Sequence, residues 1–279
     1  MSNWAKDPCG DLRTRIPHLP KIMRKKGWVV GASLMERWLT LGANAHPDKG
    51  RHDMHIVRMQ WVLTYGRALS VYRAAKEQKV WVNELAQSRI VKDLIRGKHL
   101  IPSEVGKEHA IEFGNIGEDG TRQPGNALQF HDEWHVQYRD VRQCPVASPL
   151  DDLYAALGDF SFYFLVKGHV ERIPDSDGKP RHKVTINKVG VYVKDSYDFN
   201  DRFGDRNPLS WVITQPLGIW GCATNYAGKH PIRNMQKGYH YVTNRDFREW
   251  RTKHGRGHGG DFLVFSNIMV FDTDDSFEF

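Results

Sequence analysis

Cysteine is scarce in this chain: Cys9, Cys144 and Cys222 are odd in number, far apart and without a Cys-x-x-Cys pair. That excludes a disulfide framework and a cysteine-built zinc site, and it points to synthesis in a reducing compartment. Long apolar runs are lacking too, and no stretch approaches the roughly 20 residues that span a bilayer. The opening "MSNWAKDPCGDLRTRIPHLP" has no charged start, apolar stretch or small-residue cleavage site. The general secretory route is therefore not expected to export the chain from its cell of origin. There is no Gly-x-Ser-x-Gly elbow, no Walker-type phosphate loop, no dinucleotide glycine fingerprint and no repeat of solenoid period.

What is present is basic. Lys and Arg number 40 against 33 Asp and Glu in 279 residues, a net charge of +7 with neutral histidines. Such a balance suits an anionic partner: nucleic acid, phospholipid or a phosphorylated small molecule. Without an arginine-rich recognition helix or a nucleic-acid fold motif, nucleic acid is the least expected of these.

Residues 1–20 are rich in proline and charge and read as an extended lead-in. Apolar residues then recur at helical spacing (Leu34, Trp38, Leu41), interrupted by Gly27 and Gly31, and predict a helix over 28–41. Ile56 to Tyr65 fits strand or helix, whereas Arg67 to Lys76 and Val82 to Leu94 favour helix. Residues 21–110 thus form a helical region, and 111–147 read as connecting loops. After Ser148, "SPLDDLYAALG" carries helix-start signals and a closing glycine. Strands then dominate 148–279: "DFSFYFLVKGHVERI" and "KVTINKVGVYVKDSYDF" flank the turn "PDSDGKP" as a hairpin, with further strands in "WVITQPLGIWG" and "DFLVFSNIMVF" around a short helix in "NRDFREWRTKHG". The expected class is α+β, a helical N-terminal half packed on a β-rich C-terminal half built as an antiparallel sheet or half-open barrel.

Three constellations could carry chemistry. In "VYVKDSYDFND", Asp195, Tyr197 and Asp198 gather at a strand end, where carboxylates either hold a hard cation such as Mg2+ through oxygen or raise one another's pKa for acid–base work. Loop capping by Asp is the plainer alternative. In "FREWRTKHGRGHGGDFLVFS", Arg251, His254, Arg256 and His258 precede a flexible Gly259-Gly260 pair, a pattern that suits a phosphate or simply a basic helix end. In "FHDEWHVQYRD", His131 and His135 stand four apart, but Asp132 follows the first histidine where zinc hydrolases have glutamate, so stacked or surface histidines are expected instead.

The stretches "MRKKGWVVGASLMERWLT", "GVYVKDSYDFND", "QPLGIWG" and "FREWRTKHGRGHGGDFLVFSN" resemble, over nearly the whole chain, a bacterial family of unknown function often encoded near type VI secretion genes. Asp195-Ser196-Tyr197-Asp198 is also similar to the Asp-x-Tyr-Asp core of the colicin M toxins, which cut the pyrophosphate linkage of lipid-linked peptidoglycan precursors with help from magnesium. Their motif continues with His-Arg, where this chain has Gly204 and Asp205. This second resemblance implies Asp195, Tyr197 and Asp198 as catalytic positions, Asp195 and Asp198 also as metal ligands. The missing histidine and arginine are expected from the basic cluster instead, His254 or His258 with Arg256 folding over the strand end, so that His258 is the candidate catalytic histidine and Arg251, His254 and Arg256 are the candidate substrate-binding residues. Together the resemblances imply an antibacterial effector, a phosphoester or pyrophosphate hydrolase reaching a target-cell periplasm, whose partners are an anionic lipid-linked substrate, a secretion spike or adaptor, and an immunity protein. The alternatives are a non-enzymatic secretion adaptor and a nuclease toxin acting in the cytoplasm.

Overall fold

The structure, a computed structural model, describes residues 16–44, 47, 50–114, 116, 127–142, 151–199, 218–221, 227–228, 239–242 and 244–279, with backbone alone for 127–130, 218–242 and 245. The fold is α+β: helices dominate the N-terminal half and a mixed sheet the C-terminal half. Compactness divides the chain along other lines, into two units that each draw on three segments. The first comprises 1–56, 142–160 and 195–264, and the second 57–141, 161–194 and 265–279.

In the first unit, helix α1 (Leu19–Lys25) ends in a glycine cap. Gly27 takes φ +77°, its amide bonds to Arg24 O at 2.9 Å, and the Trp28 amide bonds to Met23 O at 2.9 Å. This reverse-wound closure satisfies carbonyls that the helix end would orphan. Helix α2 (Val29–Thr40) follows at once and buries Leu34, Met35 and Trp38. Gly31 does not interrupt it. A Cβ there would lie 3.1 Å from Ala155 Cβ and 3.2 Å from Asp152 Oδ1, so glycine allows the close approach of helix α6 (Asp152–Leu157). Strand β1 (His52–Asp53) runs parallel to β9 (Phe262–Phe265), a pairing that an all-antiparallel expectation misses. Three short strands, β6 (Gly218–Gly221), β7 (Ala227–Gly228) and β8 (Tyr239–Val242), form a separate sheet. Helix α7 (Asn244–Lys253) completes the unit.

The second unit is built on residues 161–194 of a long hairpin, β4 (Phe160–Ser176) and β5 (Lys179–Tyr197). Asp177 and Gly178 turn it with φ of +55° and +69°, the left-handed pair that matches the twist of the flanking strands. The strands bury Phe162, Phe164, Val166, Val184, Ile186 and Val191. A register shift falls at Gly168, where a Cβ would collide with the Thr185 carbonyl. Strand β10 (Met269–Glu278) pairs with β5, β2 (Ile111–Phe113) pairs with β4, and β3 (His135–Val141) also joins β4. Helix α3 (Gly66–Glu77), and α4 (Glu84–Arg89) continued by a wider-wound segment Ile90–Arg96, belong to the same unit. Helix α5 (Ala127–Trp134) gives way directly to β3. Among the described residues no helix is long and apolar enough to cross a membrane.

Candidate functional site

Strand β5 ends in Asp195-Ser196-Tyr197, and Asp198 lies just past it. Alternation sends the Tyr197 ring into the core, where it is 7 % exposed. There it stacks on Phe262 at 5.3 Å and meets Phe199 edge-on at 5.7 Å. Its hydroxyl is buried without a hydrogen-bond partner among the described residues. Burial, with the nearby Asp195 charge adding to it, pushes the phenol far above its usual range, so Tyr197 stays protonated. Asp195 and Asp198 are half-buried. With Tyr197, Phe199, Asn244 and the Ala155–Leu157 turn of α6 they line a cavity of about 30 Å³, room for one water or one small ion. Two carboxylates and an amide offer the hard oxygen donors that Mg2+ prefers, and that ion takes few protein ligands beside water and phosphate. The residues therefore fit such an ion, although the described residues contain no group of three or more His, Cys, Asp or Glu poised for a metal.

The basic segment follows α7. Arg251 is 12 % exposed in its side chain and donates to Asn44 O at 2.7 Å and Asp261 Oδ1 at 3.0 Å. Asp261 is wholly buried and also accepts from Trp38 Nε1 at 2.9 Å. The Arg251 fork is thereby committed to the fold. His254, Arg256 and His258 are exposed. Arg256 and His258 line a groove of about 800 Å³ whose walls also include Lys21, Lys25, Leu39 and Trp250. His258 Nδ1 lies 3.1 Å from Thr40 O.

The strand-end carboxylates and the basic turn thus line two different cavities of one unit, and His254 lines neither. They are linked through α7 and an aromatic block. Arg248 of α7 donates to the Phe199 carbonyl, immediately after Asp198. Trp38 touches Phe199 at 4.7 Å and Trp250 at 5.7 Å, between ring centroids. Sequence reading missed Asn244, Lys21 and Lys25; the two lysines, four apart on a short helix, were legible as a basic face but nothing tied them to a turn over 200 residues away.

In the second unit His131 and His135 stack with ring centroids 4.5 Å apart and planes inclined by 5°. Nitrogen lone pairs lie in the ring plane, so two rings stacked face to face do not aim at one common metal ion. His131 Nδ1 lies 2.6 Å from Tyr192 Oη. Burial, reinforced by the Lys194 and His135 charges, holds the His131 imidazole down at about 3, and burial likewise lowers His135.

No curated protein and no solved structure matches the chain. A family model matches residues 14–227 and 222–279, which is almost its full length. The chain belongs to that family, DUF6402, a family of unknown function.

Proposed function

We propose that the protein is an antibacterial effector, delivered by type VI secretion, that hydrolyses a phosphoester or pyrophosphate bond in a lipid-linked peptidoglycan precursor. One observation carries this reading: the cavity at the end of β5 gathers Asp195, Asp198 and Asn244, with Tyr197 in its wall, around a space sized for one water or ion. In the proposed reaction Asp198 takes a proton from water as its oxygen attacks phosphorus, the P–O bond to the lipid side breaks, and the electron pair leaves with that oxygen. Asp195 and Asp198 would hold Mg2+, which when bound supplies charge to stabilise the phosphoryl oxygens. Tyr197 forms the cavity wall. In this reading Arg256 and His258, which line the groove, would meet substrate there, and Arg251 would act through the fold by anchoring Asp261.

The test is expression in a susceptible bacterium with and without a periplasmic signal, beside Asp198→Ala. Lysis only with the signal, abolished in the variant while its thermal unfolding is unchanged, is the expected result; undiminished killing by the variant would refute the assignment. An immunity protein is expected to protect such cells.

A second reading is a non-enzymatic secretion adaptor. The separation of the carboxylates from the basic turn favours it. It calls for a stoichiometric secretion partner in pull-downs and no toxicity in either compartment.

A further inference from the structure

The groove of the first unit, bordered by Arg256 and His258, has a lining that narrows the kind of ligand it can take. Its floor is apolar, made by Pro17, Pro20, Leu39 and the Trp250 ring. Its rim is cationic. Lys21 and Lys25 stand four apart on exposed positions of α1, and Arg256 rises from the turn after α7. Among the described residues the one carboxylate in the lining, Glu36, is held by the Arg24 guanidinium, with Nε to Oε1 at 3.1 Å. Among the described residues Lys21, Lys25 and Arg256 have no ion-pair partner. The rim therefore carries, among the described residues, three positive charges without an ion-pair partner, beside apolar side chains.

Arg256 adds an independent sign. Its φ is +47°, the left-handed region that costs energy for any residue with a Cβ, although glycines flank it on both sides. A turn chosen for stability alone would carry glycine at this place. The strain is tolerated where the guanidinium borders the groove, and a planar fork suits phosphate oxygens better than a point charge does.

We infer that this groove binds an amphiphile with an anionic phosphate head and an apolar chain, the head on Lys21, Lys25 and Arg256 and the chain along Leu39 and Trp250. A volume of about 800 Å³ far exceeds a bare phosphate and suits a ligand of many heavy atoms. The inference deepens the proposed reaction and rests on it for placing the ligand among lipid-linked phosphates.

Short-chain dihexanoyl phosphatidic acid, titrated calorimetrically into the full chain, tests it against dihexanoyl phosphatidylcholine and inorganic phosphate. Phosphatidic acid should bind at least tenfold more tightly than either. Lys21→Glu/Lys25→Glu and Arg256→Gly should each weaken it tenfold or more, and Leu39→Asn should weaken the lipid without changing inorganic phosphate. Arg256→Gly removes the strain, so its melting temperature should not fall, which separates lost binding from lost fold. Equal affinity for inorganic phosphate, insensitivity to the three charges, or no binding would each overturn the inference. The two proposals fail separately. Asp198→Ala should bind phosphatidic acid as the parent does; killing retained by that variant sinks hydrolysis alone, and a groove indifferent to lipid in a protein whose toxicity needs Asp198 sinks the groove alone.

Discussion

Asp261 has no exposure to water and is surrounded by donors from three parts of the first unit: Trp38 Nε1, the Arg251 guanidinium and, through its main chain, Asn44. Asp261→Ala would leave the Arg251 charge in a site that reaches water poorly, and removing one partner of a buried pair costs about 3–5 kcal/mol. Urea unfolding should show a loss of that order, whereas Trp38→Phe, which deletes one hydrogen bond, should cost about 1–2 kcal/mol. A loss under about 1 kcal/mol for Asp261→Ala would mean that Arg251 escapes to solvent. The pair explains why an arginine of the basic cluster belongs to the fold. The sequence shows a cation near a glycine pair; it does not show that an aspartate ten residues later is buried and waiting for it. Tyr197 is legible by half: alternation along β5 puts it on one face with Asp195, but which face is the core depends on Phe262 and Phe199.

Helix α2 begins after Trp28, which offers no side-chain cap. Its first amides are met from outside. Asp152 accepts from Val30 N at 3.0 Å and Gly31 N at 2.7 Å, while its neighbour Asp151 caps α6 itself through Tyr154 N at 3.0 Å. Burial raises the Asp152 pKa even though the amides act to lower it. Asp152→Ala is expected to cost about 1–3 kcal/mol, because it strands buried amides as well as a helix end, and Asp152→Asn about half of that. Denaturation of the two variants, with helix content followed by circular dichroism, checks the order. Elements with a strong period, α2 and the β4–β5 hairpin, are readable from sequence because burial repeats at the spacing of the backbone. The two-residue strand β1 has no period to read, and the helix-to-strand change at His135 lies within one continuous stretch of mixed residues.

At the scale of the molecule, the buried imidazole of His131 should shape the stability profile. A group held neutral in the fold at about 3, against 6.5 when unfolded, binds its proton first in the unfolded chain. Stability is therefore full above about pH 6.5 and declines as pH falls towards 3. Lys194, Arg89 and His135 oppose protonation and Asp132 favours it. The urea midpoint should be lower at pH 5 than at pH 7.5, and His131→Phe should narrow that gap even if it weakens the protein at both values. An unchanged gap would assign the dependence to other groups. The α+β class was legible in composition, since helical and β patterns occupy different halves. The division into compact units was not, because each unit closes only when three distant segments meet.

That interleaving has a consequence during synthesis. Trp38 and the carboxylate that receives its indole hydrogen bond are 223 positions apart, so at about 5–20 residues per second a ribosome takes roughly 10–45 s to deliver the second after the first. Helix α6 reaches α2 partway through that interval, but Trp38 waits the whole of it for the carboxylate that its indole bonds. Slowing translation between α2 and Asp261 should therefore raise the fraction that aggregates before it can fold.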